Sequence, residues 1–287
     1  MTTAFSVFTK PWRLELPALA ELVAGLGFDA VELPVRPGYP VHPGNARQAL
    51  PEAVRILGAR GVRIDSVAGT ADRATAEACA AAGVPLIRVC LGIPGAVSYL
   101  DREAAVLREL EALAPVLRAC SVCLGIQNHC GRDFGSAVAV RRLVERFDPR
   151  EVGAVWDPAH CAVAGEPPEL AADILWSHLR LVNLKNVQWR RSSAPEAPAA
   201  EYRLHWCAGA ARACAPGPRW PRSFAGAPMA ARSASPPNTA TRSLPSTRWR
   251  ATWPSLARSW RGTAGPSAPP RRPPAGRGRR AAARAAP

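Results

Sequence analysis

Four short polar clusters stand directly behind apolar runs, and they hold most of the residues in this sequence that could do chemistry. Glu32 lies in Val31-Glu32-Leu33. Gln127, Asn128 and His129 follow Gly125-Ile126 and precede Cys130-Gly131. Asp157 and His160 follow Trp156 as Asp157-Pro158-Ala159-His160, and Asn183, Lys185 and Asn186 follow Val182 as Asn183-Leu184-Lys185-Asn186. Carboxylates and imidazoles can take and give protons, amides offer a donor and an acceptor to hydroxyl groups, and an ammonium attracts phosphate. Each residue also has an ordinary structural account. Glu32 could contact substrate or simply pair within a protein pocket. His129 could touch substrate or be a hydrogen-bonded structural histidine. Asp157 before Pro158 could be a turn former, although a carboxylate behind a buried strand needs a partner, which favours function. Lys185 could bind phosphate or hydroxyl oxygens or be an exposed loop lysine. His42 and His178 read as structural or solvated, and His205 stays open.

The elements that must position these clusters alternate regularly. Strands are expected at Ala4 to Phe8, Ala30 to Leu33, Arg63 to Val67, Leu86 to Leu91, Val122 to Asn128, Val152 to Trp156 and Leu179 to Asn183. Between them, Leu19, Leu22, Val23 and Leu26 recur at helical spacing, as do Leu107, Leu110, Leu113 and Leu117, and Val140, Leu143, Val144 and Phe147. Gly27, Gly61 and Gly83 fall where a helix hands over to the next strand and a left-handed cap is wanted. Seven βα units in order, without the interruption of a topological switch, favour a closed barrel over a doubly wound sheet. In such a barrel the four polar strand ends share one mouth. An eighth strand is still needed for closure.

Charge separates the chain into two parts. The 287 residues carry a formal charge of +15, yet 15 Arg and no Lys, Asp or Glu lie between Cys207 and Pro287, so the rest is neutral. Residues 1 to 206 read as the barrel, and 207 to 287 as a low-complexity tail of Ala, Arg, Pro, Ser and Gly without helix or strand period. A basic, disordered tail that tracks nucleic acid is one account. Out-of-frame translation of a GC-rich gene from near Cys207 is the other, and the preferred one. Joining the last base of each codon to the next two turns Trp220, Trp249, Trp253 and Trp260 into aliphatic residues. With GC-rich codons, Arg219 to Thr239 can then read as a helix, a Gly turn, a strand and a terminal Glu. Such a product, with open strand edges, is expected to be poorly soluble and inactive.

No basic-then-apolar leader and no apolar span of membrane length occurs, so the chain reads as cytoplasmic and without a membrane partner. Its eight Cys are scattered through apolar segments, which suits reduced thiols. Cys120 and Cys123 form a lone CxxC that reads as core packing before zinc or redox chemistry.

With the Gly27-Phe28-Asp29-Ala30-Val31-Glu32-Leu33 strand, Asn128-His129 after strand five, Asp157-x-x-His160 after strand six and Lys185-Asn186 after strand seven, residues 4 to 206 resemble the xylose-isomerase-like TIM barrels, the sugar phosphate isomerase/epimerase family. The resemblance implies a divalent cation (Mn, Mg or Zn) held by Glu, Asp, His and Glu on strands five to eight. It also implies two carboxylates that pass a proton between adjacent carbons of an open-chain sugar. Carried over by position, Asp157, Gln127 and Asn183 would hold the metal. Gln127, His160 and Glu32 would be the catalytic set, with His129, Asn128, Lys185 and Asn186 on a small carbohydrate.

Gln127 stands where the family has Glu, and Asn183 where it usually has His. Amide oxygens can ligate a hard cation, but Gln127 cannot titrate. Metal affinity should therefore be weak and two-carboxylate transfer should fail. The expected function is that of a sugar isomerase or epimerase relative, with dehydration also open, impaired in this form. A non-catalytic carbohydrate-binding protein is the alternative. An endonuclease IV-like repair protein fits poorly, since a multi-zinc mouth is His-rich and this chain has five His.

Overall fold

The computed structural model describes residues 6–184, 186–196 and 198–207. Seven parallel strands form a curled half-barrel in strict order: β1 (Ser6–Phe8), β2 (Ala30–Pro34), β3 (Arg63–Ala68), β4 (Leu86–Val89), β5 (Cys123–Gln127), β6 (Val152–Trp156) and β7 (Leu179–Val182). Each of the seven expected strands is present. The first was expected from Ala4, and its first two residues lie outside the described ones. The fourth is shorter than expected, and Asn128 and Asn183 stand just behind their strands rather than inside them.

Helices alternate with the strands: α1 (Leu16–Gly25), α2 (Ala46–Gly58), α3 (Arg73–Ala82), α4 (Tyr99–Cys120), α5 (Ala137–Val144), α6 (Pro158–Val163) and α7 (Pro168–Leu175), with a 3-10 turn at Trp176–His178. Their ends are written locally. The Asp72 carboxylate accepts the Thr75 N–H at 2.7 Å to start α3. Gly83 closes that helix at φ 69°, a conformation cheap only for glycine. The inner stripes, such as Leu50, Ala53 and Leu57 on α2 and Val140, Leu143 and Val144 on α5, are buried in one continuous core.

Alternation along the strands aims one set of side chains at the barrel interior. Gln127, Gly125 and Cys123 share a side of β5. Gly125 is in register with Arg88 and with Gly153, and Gln127 with Val155. The interior is crowded at this level: a Cβ on Gly125 would stand 2.7 Å from Val155 Cγ2.

Behind β7 the chain forms an antiparallel hairpin, β8 (Asn186–Arg191) with β9 (Tyr202–Cys207), in a sheet separate from the barrel strands. This hairpin was not foreseen. Its composition alternates, with Val187, Trp189, Leu204 and Trp206 on one face and Gln188, Arg190, Arg203 and His205 on the other, but it lies beside the change in composition. The low-complexity tail, with its suspected frame change and eighth unit, falls from residue 208 onward on residues outside the described ones. Among the described residues no helix is long and apolar enough to cross a membrane. Cys120 and Cys123 are both thiols.

Candidate functional site at the strand ends

Glu32, third residue of β2, is 5% exposed. A carboxylate so buried requires a partner, and β4 supplies one. Arg88 Nε lies 3.1 Å from each Glu32 oxygen, and Nη2 donates to Oε1. Ser66 of β3 donates its hydroxyl to Oε2 at 3.1 Å. The guanidinium also sits over the Phe8 ring, 4.7 Å from its centroid. Burial opposes the charge on Arg88, but the Glu32 carboxylate more than reverses this and raises its pKa. Of the two accounts open for Glu32, the contacts match the pairing one.

The next link runs to strand five. Arg88 Nη1 stands 3.9 Å from Cys90 Sγ, and that thiol lies 3.7 Å from Gln127 Oε1. Gln127 turns its nitrogen the other way, donating Nε2–H to Asp157 Oδ2 at 2.8 Å. The orientation follows from charge, because the amide oxygen facing a carboxylate would be repelled. Asp157 is fully buried. Its Oδ1 accepts the Ala159 and His160 N–H groups at 3.2 Å each, capping α6. Asn128 fixes the backbone of the same residue, donating to Asp157 O at 2.9 Å and accepting its N–H at 2.7 Å. Asn128 thus helps to set the position of Asp157.

His160, 1% exposed, has Nε2 at 3.7 Å from Asp157 Oδ2, and its Nδ1 accepts the Cys130 N–H at 3.1 Å. Its ring lies 4.1 Å from that of His129 and 4.7 Å from that of Trp206 on the hairpin. His129 is more open, 39% exposed, with Nδ1 at 2.8 Å from Asp133 Oδ2. Asp133 is therefore a further carboxylate beside Asp157 at this rim. Asn183 is seated by its backbone N–H on Trp156 O at 2.8 Å, directly before Asp157. Asn186 opens β8, and Lys185 lies outside the described residues.

Of the expected residues, Glu32, Gln127, Asn128, His129, Asp157 and His160 are linked by a run of contacts, through partners that sequence reasoning missed. Arg88 had a readable signal, a lone charge inside Leu86-Ile87-Arg88-Val89. Cys90 and Asp133 had none beyond their neighbourhood, and Trp206 none.

The donor set does not fit the divalent cation that the resemblance implies. Both Asp157 oxygens are engaged by N–H donors, and Gln127 presents nitrogen rather than oxygen to Asp157. Among the described residues, no group of three His, Cys, Asp or Glu converges in a way that could hold a metal. One carboxylate with amides is a poor site for Mn, Mg or Zn.

Comparison with known proteins agrees with the fold. Similar solved structures include the probable 3-DHS dehydratase AsbF involved in petrobactin synthesis from Bacillus anthracis, 14% identical over 64% of this chain and 74% of that one, with a TM-score of 0.54. D-psicose 3-epimerase with D-tagatose from Clostridium cellulolyticum H10 is 16% identical over 62% of this chain and 71% of that one, with a TM-score of 0.53. A xylose isomerase domain protein from Planctomyces limnophilus is 14% identical over 71% and 81%, also at 0.53. No curated protein sequence matches the chain. The model of one family, described as xylose isomerase-like TIM barrel, matches residues 20–209. With that match and seven barrel strands in order, this chain belongs to the xylose isomerase-like TIM barrel family.

Proposed function

We propose that this chain binds a small carbohydrate, a keto-sugar or polyol with or without a phosphate, in the mouth at the C-terminal ends of its barrel strands. In this reading the metal-assisted, two-carboxylate proton transfer implied by the family resemblance does not operate. Family membership supports the ligand class. The observation that carries the second half is the 2.8 Å bond from Gln127 Nε2 to Asp157 Oδ2. An amide there holds the anion in place and cannot serve as a general acid or base at neutral pH. Confinement to the cytoplasm belongs to the same proposal.

The test incubates the full chain with D-fructose or D-tagatose in deuterated water, with and without Mn2+, and follows the sugar carbon-bound hydrogens by NMR. The expected result is sugar binding by calorimetry with no hydrogen exchange above the blank. Gln127→Glu should bind Mn2+ more tightly than the parent, since it adds a carboxylate beside Asp157. Metal-dependent exchange catalysed by the unaltered chain would sink the reading.

One observation favours an isomerase or epimerase instead. Asp133 bonds His129 Nδ1 at 2.8 Å and leaves the partly exposed ring's Nε2 as a proton carrier. Exchange that needs no metal and disappears in His129→Gln would establish that alternative.

A further inference from the structure

The mouth holds a positive charge that the metal-based scheme does not use. Arg88 is 5% exposed and anchored on one side only. Nε and Nη2 serve Glu32, while Nη1 has as its hydrogen-bond partner, at 3.9 Å, the thiol of Cys90, the residue directly behind β4. Sulfur is a weak acceptor, so donor capacity remains there. Ser66 and Phe8 hold the rest of the assembly in place, so the donor is preorganised and little ordering is needed on binding. Through Cys90 it adjoins Gln127 and then Asp157, the residues whose donor set does not suit a divalent cation.

We propose that Arg88 is the resident positive charge of this site and receives an sp2 oxygen of the ligand at Nη1, doing by hydrogen bonding what a divalent cation would do by coordination. Such an oxygen comes from the carbonyl of a keto-sugar or the carboxylate of a sugar acid; an alditol has none. The inference rests on the carbohydrate reading above and adds to it the class of ligand and independence from metal.

Calorimetry on the full chain, stripped with EDTA, against D-fructose, D-gluconate and D-sorbitol tests it. Fructose or gluconate should bind without added metal, and sorbitol about tenfold more weakly or less, as expected for loss of a charge-assisted hydrogen bond. Which of the two binds identifies the source of the oxygen. Arg88→Met alone would bury an unpaired Glu32, so the variant is Glu32→Gln with Arg88→Met. It should melt cooperatively and lose the preference over sorbitol. Arg88→Lys, which keeps the charge without the fork, should lose most of it and guards against misfolding of the double variant. Sorbitol binding as well as fructose and gluconate, or binding that appears only with Mn2+, overturns the Arg88 assignment and leaves carbohydrate binding standing. Failure of all three ligands, with and without Mn2+, overturns both.

Discussion

Gln127 and Asp157 are 30 residues apart in sequence and meet at 2.8 Å, because β5 and β6 are parallel neighbours with Gln127 in register with Val155. That proximity was legible from strand order alone. The direction of the amide was not, since it depends on the carboxylate it faces. Another case of direction set by surroundings is His178. Its Nε2 lies 3.3 Å from Phe147 O, and Nδ1 is 2.9 Å from Ser177 Oγ and 3.3 Å from Arg141 Nη1. Nε2 therefore carries the proton, and Nδ1 accepts. Burial lowers the pKa of this ring, the Phe147 carbonyl opposes that, and Arg141 adds to it. In the window between the folded pKa and the ordinary value near 6.5, the unfolded chain binds more protons than the folded one. Stability from this group is thus full above the ordinary pKa and lost as the pH falls through the folded one. Thermal melts should drop as the pH is lowered from 7 to 5, and His178→Gln should flatten the drop. An unchanged slope would show that other groups carry the acid sensitivity.

At the scale of elements, period and caps made the seven βα units readable, including the left-handed turns at Gly27, Gly61 and Gly83. The β8–β9 hairpin escaped because its alternating run is short and is interrupted by the Ala- and Pro-rich stretch Ser192 to Ala200. Glycines inside elements were equally silent: sequence does not tell a helix-end Gly58 from a strand Gly153. The structure separates them. Nothing lies within 4 Å of a Cβ built on Gly58, whereas one on Gly153 would stand 2.9 Å from His178 O and press on Arg180. Gly58→Ala should therefore stabilise the chain by about 0.5 to 1 kcal/mol through helix propensity. Gly153→Ala should cost about 1 to 3 kcal/mol, because backbone must shift. Denaturant unfolding of both variants checks the pair, and equal effects would mean β6 and β7 are less closely packed than described.

For the whole molecule, burial grades across the sheet. Residues of β2, β4, β5 and β6 are buried throughout, whereas every residue of β1 and β7 is only half-buried. A closed barrel would have no such gradient, because each strand would have two neighbours. Among the described residues β1 pairs only with β2, and β7 only with β6. The mouth residues inherit this asymmetry. Glu32, Arg88, Gln127 and Asp157 belong to or directly follow interior strands, while Asn183 follows an edge. Local opening should start at the sparsely packed elements. Native-state hydrogen exchange of the full chain should accordingly find the amides of β4 to β6 slowest and those of β1 and β7 fastest, with the Gln127 to Asp157 region outlasting Asn183. If β1 and β7 were protected as well as β5, their outer edges would have to be covered by residues beyond 207 or by another copy of the chain. Repeating the exchange on dilute and concentrated protein separates those two, since protection by a second copy fades on dilution and cover from the same chain does not.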